Sequence, residues 1–363
     1  MARGPEDRSS TTSGSGGPVS EATRVGRIAV VVNGNAKSVT AEVIETLDQI
    51  LDSGDLFVSR HVEESEAIAR TLVDRGYGTI LTGGGDGTFT VVVSAVVNEA
   101  RRRNAPLPRF GLLRLGTGNS LAWVLGASKS GGSGSRGLEA DLAKLRADAG
   151  SRDLRLVEAE GMLSPFCGFG IDAVMLRDYN KVKSVLARGP LKRLAPGPVA
   201  YAVAATTRTI PSYVFRATPH CRVINEGGDA FRIGEHGQLL GSPIAKGSIL
   251  YEGPAKVASV GTIPYYGFGF RFFPYAEDRG DRMQLRLSNI SPFAFVANFG
   301  SIWRGEYESL TTVFDYFVDD VTIEMDPPTS FQIGGDVVGE RSRVRVRLAP
   351  PIRIVDFYAP PRG

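Results

Sequence analysis

Residues 79–82, Thr-Ile-Leu-Thr, run without a break into Gly83, Gly84, Gly85, Asp86, Gly87 and Thr88, and a valine-rich stretch of helical length follows. A strand that ends in glycines and turns straight into a helix has few uses other than ligand binding. Glycine lets the backbone take positive φ and come close to a bound group. The amides at the start of the next helix are then free to hold an anion. Asp86 is by itself a poor neighbour for phosphate. It makes sense there if it holds Mg²⁺ or polarises a nucleophile beside the phosphates.

The surrounding pattern supplies the sheet that such a loop needs. Residues 28–32 are a short continuous apolar run, as expected of a strand covered on both faces. Ile44, Leu47 and Leu51 recur at helical spacing after Thr40, with Glu42 near the favourable end. A second strand at 56–58 leads to a second helix marked by Ile68, Leu72 and Val73, which ends near Gly76. Residues 88–103 read as a helix and 110–115 as a strand. Gly116, Thr117, Gly118, Asn119 and Ser120 then precede a helix from Leu121. Strict alternation of strand and helix implies a doubly wound parallel sheet with right-handed crossovers. Ligands of such sheets sit beyond the carboxyl ends of the strands, so the two glycine loops are expected to face each other across one nucleotide.

After about residue 150 the pattern changes. Short strand-like runs at 154–159, 257–260, 283–287, 321–325 and 344–348 are separated by Gly and Pro, and only 198–208 and 302–317 look helical. A mostly antiparallel second domain is expected. Residues 1–24 have almost no apolar content and read as a disordered tail, and 128–137 as a flexible surface loop. The expected division is therefore a nucleotide-binding α/β domain over 25–150 and a β-rich domain over 151–363, whose last strand returns to the first.

Several functions are disfavoured. The net charge of +3 gives no bulk support to nucleic-acid binding. Cys167 and Cys221 form no CxxC pair, which argues against a disulfide framework and for a reducing, cytoplasmic setting. With His61, His220 and His236 as the only histidines, a zinc site has too few ligands. No run of about 20 apolar residues is present, so no transmembrane segment is expected, and the start of the chain lacks a signal-peptide core. Neither loop satisfies GxxxxGK[ST] or GxGxxG, and no GxSxG or HExxH occurs.

At these residues the sequence resembles the diacylglycerol kinase and sphingosine kinase family of lipid kinases. The matching pieces are Val31-Val32-Asn33, the 83–88 loop and the GTGNSLA core within 108–122. Weaker matches are Gly168-Phe169-Gly170-Ile171-Asp172-Ala173, Pro274-Tyr275-Ala276 with Gly280-Asp281, and residues 331–336, which sit where the family has a late D-G-E/D turn. The resemblance implies an α/β nucleotide domain, a C-terminal β-sandwich, and Mg²⁺-dependent transfer of the γ-phosphoryl group of ATP to a lipid hydroxyl. By the same implication Asn33, Gly83, Gly84, Gly85, Gly87 and Thr88 line the phosphates, Asp86 is near the metal and the reaction centre, and Gly116, Thr117, Gly118, Asn119 and Ser120 close the other side. Asp172 would touch the lipid headgroup. The lipid, a long-chain sphingoid base or a diacylglycerol, would be met by peripheral contact at the membrane surface.

Two positions depart from the family pattern. Ser120 replaces an aspartate frequent in the diacylglycerol kinase branch, which tilts the substrate towards a long-chain base. Gly334 replaces the aspartate of the late turn, leaving Asp336 or Asp86 to act as base. If the base is limiting, Gly334→Asp is expected to raise turnover. Two other readings stay open, an NAD or sugar-phosphate kinase with the same glycine–aspartate loop, and a nucleotide- or lipid-binding pseudokinase. Among the remaining features, Trp303, Val313, Phe314, Tyr316 and Phe317 suit an acyl cleft or a core. Arg341, Arg343, Arg345 and Arg347 suit a membrane-facing strand or a solvated one, and Asn225-Glu226 a ribose site or a turn.

Overall fold

A computed structural model describes residues 27–36, 38–51, 55–115, 120–125, 127, 136–146, 150–170, 218–266 and 269–358. The first layer begins with β1 (Ile28–Asn33), α1 (Ala41–Ile50), β2 (Leu56–Ser59), α2 (Glu64–Arg75), β3 (Thr79–Gly84), α3 (Asp86–Arg103) and β4 (Arg109–Arg114). Short helix α4 (Ser120–Val124), α5 (Arg136–Arg146) and β5 (Ser151–Leu154) follow. Local chemistry sets the boundaries. The Thr40 hydroxyl accepts the amide of Val43 and opens α1. Gly76, with φ of 64°, closes α2 in the left-handed conformation. Ala29, Val30, Val31 and Val32 are almost fully buried, as the continuous apolar run requires.

The strands of this layer lie in the order β2-β1-β3-β4, with β1 paired in parallel to both β2 and β3. Strand order therefore reverses between β1 and β3, and in such sheets the ligand crevice opens at that point. Asn33 at the end of β1 and the 83–88 loop at the end of β3 both stand there. The sheet is completed by strand β18 (Ile352–Val355), near the end of the described chain, parallel to β4 and antiparallel to β5. The 154–159 run, expected as one strand, is two. It leaves the first sheet at Leu154 and enters the second at Val157, because Arg155 and Leu156 make the crossing.

The second layer is antiparallel throughout. It comprises β6 (Val157–Ala159), β7 (Met162–Ser164), β8 (Phe166–Gly170), β9 (His220–Asn225), β10 (Ala230–Ile233), β11 (Leu239–Ile244), β12 (Ile249–Pro254), β13 (Val257–Gly261) and β14 (Met283–Ser288). Helices α6 (Pro292–Ala297) and α7 (Phe299–Arg304) come next, then β15 (Val313–Val318), β16 (Asp320–Ile333) and β17 (Asp336–Leu348). Long strand β16 is shared. Its first half pairs with β9 and its last residues with β8, while Pro327 and Pro328, which lack amide hydrogens, interrupt the ladder between. The helix expected over 302–317 is not found. Gly305 ends α7 with φ of 72°, and the β-branched and aromatic residues after it pair with β14 as β15. The 198–208 stretch and the 1–24 tail lie outside the described residues, as does most of the 128–137 loop. Helix α5 went unread in the sequence, although Leu138, Leu142 and Leu145 are buried at helical spacing.

The two layers meet along α3. The Ser94 hydroxyl accepts the amide of Leu163 at 2.8 Å, and Asn98 Nδ2 donates to the carbonyl of Gly161 at 2.9 Å. These bonds pin the β6–β7 hairpin to the side of α3 whose first turn follows the glycine loop. Both layers therefore border the mouth of the crevice.

Candidate functional site

At Gly83, Gly84 and Gly87 close approach, not a positive φ, marks the place of glycine. A Cβ on Gly83 would stand 2.7 Å from Val32 Cγ1, and one on Gly84 would fall on the Thr88 hydroxyl. A Cβ on Gly87 would meet Oδ2 of Asp336, which comes from the other layer. The loop thus brings β1, the first turn of α3 and the start of β17 together. Asn33 Nδ2 donates to Thr88 Oγ1 at 3.3 Å, and Asn33 Oδ1 accepts the amide of Asn35 at 2.9 Å. Strand end and helix start are therefore tied by side chains that also offer polar groups to a ligand.

Beside them lies a cavity of about 400 Å³. Gly85, Gly87, Thr88, Asn33 and Asp336 line its polar end, and Ile68, Leu72, Val92 and Val96 give it an apolar wall between α2 and α3. Its size falls within the range of small-molecule sites, about 300–1,000 Å³. Amides at the start of an 18-residue helix, together with a polar end and an apolar slot, suit a phosphorylated ligand with a flat hydrophobic part.

Asp86 is not among the residues lining that cavity. It is buried, and its Oδ2 accepts the amide of Ser120 at 2.8 Å while Oδ1 accepts that of Leu121 at 3.2 Å. The carboxylate of the first loop therefore holds the start of the helix that follows the second loop. Burial raises its pKa above the usual carboxylate range, and the two amide hydrogen bonds oppose that shift. Gly116, Thr117, Gly118 and Asn119 lie outside the described residues, as does Asp172. Ser120 is placed by its amide, 2.8 Å from Asp86.

Asp336 is the carboxylate that reaches the cavity. The β16–β17 hairpin turns through Gly334 and Gly335, with φ of 60° and 94°, in the two-residue form that needs positive φ twice. Gly335 donates to Gln332 Oε1 at 2.8 Å and Gly334 to the carbonyl of Phe166 at 3.0 Å. The turn is thereby fixed, and Asp336, opposite Ile333 in register, projects at Gly87. The residue is exposed at the cleft mouth, but protein crowds its carboxylate and desolvation raises its pKa.

Gly334 itself is tightly enclosed. A Cβ there would stand 2.5 Å from Thr90 Oγ1 and 3.0 Å from Ser164 Oγ. Reinstating an aspartate at this place therefore has a steric cost invisible in the sequence, and the expectation of higher turnover in Gly334→Asp does not follow from this geometry. Ser59, Arg60, His61 and Ser65, which also line the cavity, were missed. The only available signal was their position at the end of β2, next to the strand that carries Asn33.

The other candidate features resolve into structure. Arg341, Arg343, Arg345 and Arg347 pair with Glu160, Glu324, Asp320 and Glu158, so this strand face is a ladder of ion pairs. Tyr316 is buried in the core of the second layer, Phe317 is buried as well, and Phe314 packs on Tyr251. Trp303 stacks on Phe270 with ring centroids 5.2 Å apart. Asn225 is buried and donates to the carbonyls of Gly228 and Ile244, and Glu226 accepts from Thr322, as parts of a turn. Both cysteines are buried and neither is in a disulfide, and burial pushes the Cys221 thiol up to about 12. Among the described residues no helix is long and apolar enough to cross a membrane.

Comparison with known proteins agrees with the resemblance read from the loops. Residues 27–148 match the family model of the diacylglycerol kinase catalytic domain. No curated protein matches the chain. Among solved structures, a provisionally assigned diacylglycerol kinase from Bacillus anthracis str. Sterne is 15% identical, with 91% of this chain and 97% of that one covered at a TM-score of 0.58. A crystal structure of a diacylglycerol kinase from the same strain is 14% identical, with the same coverage and a TM-score of 0.54. These likenesses establish the two-layer fold over nearly the whole chain.

Proposed function

We propose that a chain whose residues 27–148 carry the diacylglycerol kinase catalytic-domain pattern is a phosphotransferase, moving the γ-phosphoryl group of ATP to the hydroxyl of a lipid. The observation that carries this reading is the seating of Asp336, from the second layer, against Gly87 at the amide end of α3. An acceptor held by the second layer would thereby meet a phosphate held by the first. Residues 25–150 form the nucleotide side in this reading and 151–363 the acceptor side, with the lipid met at a membrane surface. The acceptor is a long-chain base or a diacylglycerol.

The residues fit the two groups that such a reaction needs. Glycines that leave room beside Thr88 and Asp336 form the cradle for the phosphates. Among the described residues no group of three or more His, Cys, Asp or Glu is placed to hold a metal. Mg²⁺ commonly rests on phosphate oxygens with one or two carboxylates and retained water. Asp336, which lines the cavity, would be the protein's share, since Asp86 gives both oxygens to the amides of Ser120 and Leu121. When bound the ion supplies charge neutralisation on the transferring group. The chain's own part is positioning. Thr88 and Asn33 orient the phosphate end, Asp86 keeps the second loop's helix against the first loop, and Asp336 takes the proton of the attacking hydroxyl.

The test is labelled ATP with a total lipid extract, run beside Asp86→Ala. The wild-type chain is expected to yield labelled lipid. The variant is expected to yield less, and to lose about 1 kcal/mol of stability with the cap on α4. Equal labelling by both proteins would remove Asp86 from the mechanism. Phosphate transfer to NAD or a sugar phosphate, with none to lipid, would replace the lipid acceptor.

A further inference from the structure

A nucleotide triphosphate brings several negative charges, and neither glycine loop carries a cation. Residues 83–88 and 116–120 contain no Lys or Arg. Amides and one divalent ion leave part of that charge unmet, and proteins that hold phosphates usually add a guanidinium or an ammonium. Among the described residues that line the cavity, Arg60 is the one with a permanent positive charge.

The backbone around Arg60 is held on both sides. Its amide donates to Glu64 Oε2 at 2.8 Å, and its carbonyl accepts from Asn35 Nδ2 at 2.6 Å. The clamp joins the end of β2 to the loop after β1, beside the strand end where Asn33 meets Thr88. The side chain leaves this clamp across Gly34. A Cβ on Gly34 would stand 3.0 Å from Val58 Cγ1, 3.1 Å from Arg60 Cγ and 3.3 Å from Nε. Gly34 has no positive φ to require glycine, and the room it leaves is shared by the Val58 side chain and the arginine stem. No ion pair to Arg60 is found among the described residues. Glu64, four residues on, spends Oε2 on the amides of Arg60 and His61, and these bonds lower its pKa. An exposed guanidinium on a fixed backbone, unpaired and bordering the same cavity as Thr88, is a preorganised anion receptor.

We propose that Arg60 is the cation that binds the phosphate chain of the nucleotide, at the border of the cavity that Thr88 also lines. This rests on the nucleotide reading of the site.

The full chain is titrated calorimetrically with ATP, tripolyphosphate and adenosine, without lipid, for wild type, Arg60→Ala and Arg60→Lys. Arg60→Ala is expected to weaken ATP and tripolyphosphate by about tenfold or more and to leave adenosine unchanged. Arg60→Lys is expected to recover part of the loss, because charge returns without the fork. Melting temperatures should stay together, as the side chain is exposed. Unchanged ATP affinity in Arg60→Ala overturns the assignment, and so does an equal loss for adenosine, which would put the guanidinium on the base. A wild-type chain that binds neither ATP nor tripolyphosphate overturns the nucleotide reading as well, so the two failures are distinguishable.

Discussion

Asp336→Asn is expected to lower turnover by about 10²–10⁴-fold while ATP binding is retained, because the substitution keeps the shape of the side chain and removes its ability to take a proton. Two carboxylates stand at the paired loops, and the geometry separates their tasks. Asp86 gives both oxygens to the amides of Ser120 and Leu121 and does not line the cavity. Asp336 lines it, and the contact made there is with Gly87, in the first turn of α3. A base must be ionised before it can act, and desolvation has raised the Asp336 pKa. Turnover should therefore fall as pH drops through a value above the ordinary carboxylate pKa of about 3.9, and the Asn variant should lose the part of that acid limb due to Asp336. Full turnover in the variant would move the proton acceptor to Asp86 or show that none is needed, as positioning and electrostatics carry most phosphoryl transfer.

What could be read from the sequence follows from which residues advertise their surroundings. The 83–88 loop was legible because glycine at the end of an apolar strand has few other meanings, and each close approach found there is one that a Cβ would block. The alternation that gives the first sheet was legible for a similar reason, since both faces of β1 and β3 are buried and periodicity records burial. Register across layers leaves no such mark. Nothing in residues 336 and 87 announces that they touch, as 249 positions and a complete second layer separate them. The arginines of β17 left two readings open for a related reason. A row of cations on alternate residues is visible in one strand, whereas the acids that neutralise it come from Glu158, Glu160, Asp320 and Glu324 elsewhere. Arg60 was missed because an arginine after a strand is ordinary until the cavity beside it is seen.

Gly334→Asp is the variant on which sequence and structure differ most, and it is expected to destabilise the chain by about 1–3 kcal/mol without raising turnover. By sequence the change restores a family carboxylate. In the structure residue 334 has φ of 60°, a conformation that costs a residue with a Cβ roughly 1–2 kcal/mol, with Asp among the more tolerant. The larger obstacle is space, because the new Cβ would lie 2.5 Å from Thr90 Oγ1 and 3.0 Å from Ser164 Oγ. Thr90 Oγ1 has no hydrogen-bond partner among the described residues, so the carboxylate would find a donor there. Reaching it requires α3 and the β7 end to part, and those two are joined at Ser94 and Leu163. Opening that seam would draw Gly87 away from Asp336, the contact on which the proposed proton transfer depends. Chemical denaturation of Gly334→Asp and Gly334→Ala separates the causes. Equal losses would assign the cost to the Cβ, and a smaller loss for Asp would credit the Thr90 hydrogen bond. A stable Asp variant with higher turnover would show that the hairpin relaxes around a carboxylate, and would return the base to the position the family pattern gives it.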